Sequence, residues 1–522
     1  MPTEKIPIWL GSNKNVDEYG LGGLSAELRD AFIDELRNVR KRPGVETLID
    51  LGTNSRIDGL YWWGTQDCLI AVSDTDVYQI KHVSGDEYDS DVYPYAVSGQ
   101  ALASGANVSF VDYGTHLYAA NGGKIFKIPA SPASPIAALS ATAAPTQVSF
   151  LTTMDTYLIA NNLASGAGEQ IWWSEVLEPD TWQGEFATAE ASVDSLRKIT
   201  AVNGLLYLLG DKTLEIWAND GVTPFVPLAQ GTLQIGTCAP DSFLWCRDGF
   251  YWLDESRQLV TLIGNKIQRL PAENTQSLAS YLQSLTTVSD ARAQYMAIAG
   301  REFYILQLPT EDVTIVYDIN TSTWSFWSVY DAVNEQYSRW FGEQLVYSDS
   351  WSTRLLGHIS NGNIYKLSTS YIYDGVENLN DRYVLDQSGE ILLGVGGNPI
   401  TIAQEVGIAQ AGPIRTLIRT GQIDHDTQTV NKHSAKYTLL CKRTGAFTTG
   451  ISSIAINMRW RDNGTTEWSA WKAGSIDAVD NSTFRVAWRR NGQYYTRQLE
   501  IVHADEAPIL IVHLEETFDY GV

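Results

Sequence analysis

From about residue 50 to residue 370 the chain repeats one arrangement of apolar and polar positions. A short apolar strand is followed by a polar turn carrying Gly, Asn or Asp, then by a second strand rich in aromatic residues. Copies span 60–80, 108–128, 148–173, 199–217, 243–270, 303–327 and 340–367, a period of about 47 residues. Three of them close alike, on Val77-Tyr78-Gln79-Ile80, Ile125-Phe126-Lys127-Ile128 and Ile364-Tyr365-Lys366-Leu367, with apolar residues flanking an outward polar position at the strand period of two. Several short strands per unit of this length mark a propeller blade, which buries both faces against its neighbours. The pattern predicts an all-β chain with a β-propeller of about seven blades over 46–372, six or eight remaining open. Unrelated hairpins in sandwich domains are the competing arrangement.

Residues 1–45 differ. Leu28, Phe32, Leu36 and Val39 recur at helical spacing, Ser25 is placed to cap such a helix, and Pro43-Gly44 to stop it. The charges run from Glu27, Asp30 and Asp34 to Arg37, Arg40, Lys41 and Arg42, the polarity that suits a helix dipole. A short N-terminal arm or helix is expected. Residues 373–412 turn polar and Gly-rich around Gly394, Gly396, Gly397 and Asn398-Pro399, which reads as a linker or insertion. Beyond it, strands at 436–442, 453–460, 484–488, 497–502 and 508–514, with a tight-turn Asn463-Gly464, predict a C-terminal β-sandwich or jelly-roll-like domain over 413–522.

Composition agrees with sheets: the 522 residues include 17 Trp and 26 Tyr against 4 Met, and 44% hydrophobic with 19% charged residues excludes disorder and coiled coil. Sixty-one acidic residues against 37 basic leave a net charge of −24. That disfavours nonspecific DNA affinity, because phosphate neutralisation needs a basic face. Cys68, Cys238, Cys246 and Cys441 are too sparse for a disulfide scaffold and form no C-x-x-C pair, which fits a reducing compartment. Met-Pro-Thr-Glu-Lys lacks the order of a secretory signal, and no run approaches the ~18 apolar residues of a membrane span. A soluble chain made in the cytosol, without membrane insertion, is expected.

The chemistry is sparse. There is no Walker loop, G-x-S-x-G elbow or H-E-x-x-H. Asp424-His425-Asp426, with His433 nearby, is the nearest thing to a metal or acid–base cluster, but alternation on a strand would set His425 opposite both carboxylates, and a solvated turn is expected. Cys238 and Cys246 read as buried small hydrophobes. Asp462-Asn463-Gly464 followed by Glu467-Trp468-Ser469 resembles one copy of the Asp-box turn, with an extra residue before Trp468, and such a turn is a folding device. In Trp62-Trp63 and Trp172-Trp173 adjacent rings face opposite sides of a strand, so both pairs read as packing. Trp182 and Trp351 are expected at a protein interface. No catalytic, cofactor-binding or metal-ligating residue is expected.

Several stretches taken together look like a known family. Arg42-Pro43-Gly44 closes the N-terminal arm, Trp172-Trp173-Ser174-Glu175 precedes Pro179-Asp180-Thr181-Trp182, and 199–204 leads to Leu214-Glu215-Ile216-Trp217, with 485–514 at the end. In these the chain resembles the packaged-DNA stabilisation, or tail hub, proteins of short-tailed bacteriophages. The resemblance implies a structural protein of the virion tail, made in the host cytoplasm. It also implies a homo-hexameric ring below the portal adaptor (the head-to-tail connector) that closes the DNA exit after packaging and carries the tail needle and tailspikes. Acidity suits such a conduit, since like charge removes the counterion-release gain that would hold passing DNA. Arg40, Lys41 and Arg42 are accordingly assigned to a neighbouring subunit or tail protein rather than to DNA. A phage glycoside hydrolase or depolymerase, or a carbohydrate-binding propeller, is the alternative.

Overall fold

The computed structural model describes residues 1–8, 12, 26–83, 90–189, 194–221, 224–247, 249–270, 272–332, 334–370, 373–375, 412–444, 454–477, 482–505 and 507–521. Apolar and aromatic alternation here forms antiparallel strands arranged as a β-propeller with a β-sandwich on its flank. The first sheet holds Ile57–Trp63, Cys68–Ser73, Asp76–His82 and Ser90–Pro94. The second holds Ser109–Asp112, His116–Ala120, Phe126–Pro129 and Ile136–Ala138, with Val97–Ser98 added in parallel at its edge. Leu151–Met154 to Phe186–Thr188, Leu196–Val202 to Val226–Leu233, and Leu244–Cys246 to Lys266–Arg269 make three more four-stranded sheets.

The last blade closes the ring by borrowing from the N-terminus. Gly342–Ser348, Thr353–His358 and Asn363–Ser368 are completed by Gly44–Asp50, whose Thr47 lies opposite Tyr365 and Val45 opposite Leu367. We label the N-terminal strands β1 (Thr3–Ile6), β2 (Glu27–Arg29), β3 (Ala31–Ile33), β4 (Val39–Lys41) and β5 (Gly44–Asp50). Pairing of first and last strands ties the chain ends of the propeller together, so opening the ring breaks a ladder as well as a core.

The expected count of about seven blades, with six or eight open, is corrected to six that stand as sheets of their own. Arg292–Ile298, Arg301–Leu308, Val313–Asp318 and Thr323–Asp331 also sit in the ring, between the fifth sheet and the closing blade, but do not stand alone. Their outer strand pairs in parallel with β2, which continues through Thr416–Arg419, Arg497–His503 and Ile456–Asp462 into one ten-stranded sheet. Facing that extension is an eight-stranded sheet built from β1, β3, β4, Ile509–Tyr520, Lys432–Arg443 and Thr483–Arg489 with shorter edge strands. Leu28, Ile418, Met458 and Ile501 meet Val39, Leu439, Val486 and Ile511 in the shared core, which makes this region the expected β-sandwich.

The N-terminal helix does not form. Leu28, Phe32 and Val39 lie on three different strands, and Leu36 on an exposed turn. Left-handed backbone at Asp30 (φ 54°) and Arg37 (φ 62°) breaks the stretch, and pairing with distant strands overrides its helical spacing. Ser25 and 376–411, the bulk of the expected linker, lie outside the described residues. A 13-residue helix does occur at Ala272–Ser284, with Leu278 and Leu282 buried in the core between the fifth sheet and the shared one.

Aromatic side chains fill the spaces between blades. Trp63 packs towards the second sheet and Trp62 towards the closing blade, while Trp173 faces the fourth sheet and Trp172 the second, so each adjacent pair does divide between opposite faces. Trp327 and Trp340 are fully buried, edge to face at 5.1 Å, between the shared sheet and the closing blade. Trp327→Ala should therefore cost about 3–5 kcal/mol of stability, measured by denaturant unfolding; a loss below about 1 kcal/mol would show that this contact does not hold the ring.

Candidate functional site at the N-terminal hairpin

The basic cluster singled out in the sequence falls where propeller and sandwich meet. At Asp30 the chain leaves the ten-stranded sheet (β2) and enters the eight-stranded one (β3), a corner that needs the left-handed backbone Asp tolerates better than most residues. Its carboxylate accepts hydrogen bonds from the Ser328 N–H (2.7 Å), the Ser328 hydroxyl (2.5 Å) and Arg42 Nε (2.9 Å). Arg42, only 2% exposed, donates through Nη1 to Asp374 Oδ1 at 2.8 Å, pairs through Nη2 with the other oxygen, and also reaches the Ser328 and Pro43 carbonyls. Its guanidinium lies 5.7 Å from the Trp340 ring centre. Burial opposes the Arg42 charge, but Asp374 and Asp30 outweigh it and raise its pKa. Burial lifts the Asp374 carboxyl above its ordinary range, which Arg42 only partly offsets.

The turn between β3 and β4 is organised by Asp34. Its Oδ1 accepts from the Leu36 and Asn38 backbone N–H groups (2.9 and 2.8 Å), and its Oδ2 from Arg40 Nε at 3.1 Å. Burial alone would raise the Asp34 pKa; hydrogen bonds from Asn38 and Arg40 outweigh it and hold it low. The turn presents Leu36, 81% exposed, at its tip. Lys41 Nζ donates to the carbonyls of Ile414 (2.9 Å) and Asp505 (2.6 Å), on the sandwich side. Of the three cations only Arg40 keeps a half-exposed side chain. A cavity of about 390 Å³ opens beside the hairpin, against 299–301 and 507–510. Arg301 enters it with Nη2 bonded to the Ile33 carbonyl and paired with Asp318. Arg301 and Asp374 escaped the sequence reading because each lies hundreds of residues from its hairpin partner and carries no local signature.

Trp182 and Trp351 are buried within the chain. Trp182 donates to the Pro179 carbonyl (3.0 Å) in the core between second and third sheets, and Trp351 packs edge-on against Trp62 and His82. His425 is not the expected solvated group. On a turn with φ 49°, its ring stacks on Phe518 at 3.8 Å and bridges Glu4 (Nδ1, 2.6 Å) and Glu516 (Nε2, 2.9 Å). Asp424 accepts from the Asp426 N–H, and among the described residues no three His, Cys, Asp or Glu converge as metal ligands. Burial opposes protonation of His425, but Glu516 and Glu4 outweigh it and raise its pKa, while burial, which would raise the Glu516 pKa, is outweighed by its hydrogen bonds with His425, Ser434, Tyr494 and Tyr437, which hold it low. In the Asp-box-like turn, Asp462 pairs with Arg497 (2.6 Å), and it is the Asn463 side chain that accepts the Tyr495 and Thr496 N–H groups. Cys246 is buried and Cys238 packs beside it in one core.

Residues 38–372, well over half of the chain, match the phage stabilisation family, described as bacteriophage P22 gp10, β-propeller. No curated protein matches. Among solved structures, the extracellular domain of the hybrid two-component system BT4673 of B. thetaiotaomicron is similar at a TM-score of 0.39 and 11% identity, covering 62% of this chain and 40% of that one. The N-terminal domain of Nup159 gives 0.38 and 8%, covering 65% and 98%, and Hsv2 of Kluyveromyces lactis 0.27 and 10%, covering 52% and 97%. Similarity at this level assigns no function to the chain.

Two expectations follow from the buried charges. Arg42→Ala strands two buried carboxylates and should cost about 3–5 kcal/mol, whereas Arg40→Ala, at a solvated pair, should cost less than about 1 kcal/mol; equal losses in chemical denaturation would contradict the burial difference. A raised His425 pKa means that its contribution is complete below the unfolded value of 6.5 and is lost as pH rises through the folded value, while that of Glu516 is lost as pH falls below 4.5. The melting-temperature gap between the native chain and His425→Gln should be widest at about pH 5–6 and shrink towards about pH 9; a gap independent of pH would rule out a charged clamp.

Proposed function

The chain belongs to the phage stabilisation family, the family of the bacteriophage P22 gp10 β-propeller, and we propose that six copies form a ring below the portal and its adaptor. As a tail hub and packaged-DNA stabilisation protein it is a component of the virion tail. In the proposed assembly the ring closes the DNA exit after packaging and carries the tail needle and tailspikes. The observation that carries this reading is the family match over 38–372, which runs from the N-terminal hairpin through the closing blade. The charge supports it: with a net −24, a wall of such copies offers DNA no counterion-release gain, so the genome passes or is retained without tight binding.

We read the chain as structural rather than catalytic, and as made in the host cytoplasm. In support, the polar residues that drew notice in the sequence are committed to the fold. Asp462 serves Arg497, His425 serves Glu4 and Glu516, and Asp30 serves Arg42. Electron-microscopy class averages of the purified chain, alone and added to portal–adaptor particles, should show six-fold density around a channel. A chain that stays monomeric in both settings and cleaves host polysaccharide, with cleavage lost on changing one Asp or Glu, would favour the depolymerase instead.

A further inference from the structure

The outer face of the ten-stranded sheet gathers arginine side chains and aromatic rings on one surface of this acidic chain. Leu28, Ile418, Met458 and Ile501 point into the sandwich core, so the alternate positions on the same strands face away from it. There Arg419 bridges Glu500 (2.5 Å) and Glu27 (3.0 Å), and Arg459 reaches the other oxygen of Glu500 (2.8 Å). Trp468 has the guanidinium groups of Arg419, Arg459 and Arg461 at 5.3, 5.2 and 4.9 Å, and Arg459 also lies 4.3 Å from Trp471, which is 41% exposed. At the other end Arg415 stacks on Tyr330 (4.0 Å), and Arg29 on Tyr337 (4.4 Å). Five guanidinium groups thus share the face with two carboxylates.

The charge of the chain divides along the same line. Residues 413–522 hold thirteen Lys and Arg against twelve Asp and Glu, so the whole negative excess resides in 1–412. Because blade strands are antiparallel, turns joining first to second and third to fourth strands share one end of the propeller, and exposed Asp67, Asp155, Glu178, Asp220 and Asp349 lie there.

We propose that the arginine–aromatic face is the surface by which one copy docks onto the acidic propeller of the next copy, which rests on the ring reading above. Stacked guanidinium groups are held in place before binding and lose little freedom on contact, and Arg, Trp and Tyr supply most of the energy in protein interfaces. A basic face meeting an acidic one is a contact between two different surfaces, and contacts of that kind close into a ring when the rotation between neighbouring copies completes a circle. Duplex DNA is the weaker occupant: Glu27 and Glu500 cancel two of the five charges, and so few free cations neutralise few phosphates.

Arg461→Glu with Trp471→Ala, made in the full chain, leaves both arginine partners of Glu500 in place. Thermal melting checks its fold, and sedimentation at about 50 and 500 mM salt reads assembly. The native chain should form rings that weaken with salt, and the variant should need roughly a hundredfold higher concentration to do so. Arg415→Glu, at the far end of the face, should act in the same direction and replaces the double variant if that one fails to fold. Folded variants that assemble like the native chain would overturn this docking surface while leaving the ring intact. A native chain that stays monomeric, even on portal–adaptor particles, would overturn both. Sub-micromolar binding of a duplex oligonucleotide at about 150 mM salt, lost in the variants while rings persist, would reassign the face to DNA.

Discussion

One buried guanidinium ties the closing blade of the propeller to the sandwich. Arg42 stands between β4, which belongs to the sandwich, and β5, which closes the propeller, and it joins Asp30 at the sheet corner to Asp374 beside β5. Asp30 in turn holds Ser328 on the outer strand of the shared sheet, and its carbonyl accepts the Thr416 hydroxyl from the first strand of the C-terminal region. Removing two carboxylates and a guanidinium from water is expensive, and their mutual pairing repays it only when all three are in place. The node therefore works as a registration device: the blade closure, the corner and the sheet fusion fit one another in a single arrangement.

That arrangement explains why the propeller and sandwich share a sheet instead of a linker. A four-stranded blade normally ends in an exposed edge, which invites unwanted pairing. Here the edge strand Thr323–Asp331 is covered by β2, and the sheet runs on for several more strands. A wide platform results, which brings arginine and tryptophan side chains together on its outer face. Acidic blades and a neutral, arginine-faced sandwich give the molecule two unlike surfaces, the property a closed ring of identical copies requires.

The strand repeat was legible because a blade is a local unit: each apolar strand and aromatic partner is a near neighbour in sequence, and Trp62-Trp63 and Trp172-Trp173 reveal two buried faces directly. Fusion of a blade to the sandwich was not legible, since β2 meets its partners at 326 and 417–419 only in the folded chain. The supposed N-terminal helix failed for the same reason: Leu28, Phe32 and Val39 have helical spacing, yet Leu28 and Val39 enter the sandwich core from its two facing sheets while Phe32 packs into the core beside the closing blade. Of the candidate site, the sequence marked Arg40, Lys41 and Arg42 as a group, but three adjacent cations meet three fates, with Arg40 half-exposed, Lys41 on backbone carbonyls and Arg42 entombed. Burial is decided by distant partners, and Asp374 gave no sign of itself. The arginine face was likewise hidden, because Arg29, Arg419 and Arg459 are scattered along the chain and become one surface only through strand pairing.

If the Arg42 node makes the closing blade and the sandwich one cooperative unit, native-state hydrogen exchange reads it directly. In increasing denaturant, the amides of Gly44–Asp50 and Asn363–Ser368 in the closing blade and those of Lys432–Arg443 and Ile509–Tyr520 in the sandwich should open with one common free energy and slope. Sandwich amides that exchange through a separate, lower-energy opening while the closing blade stays protected would contradict it.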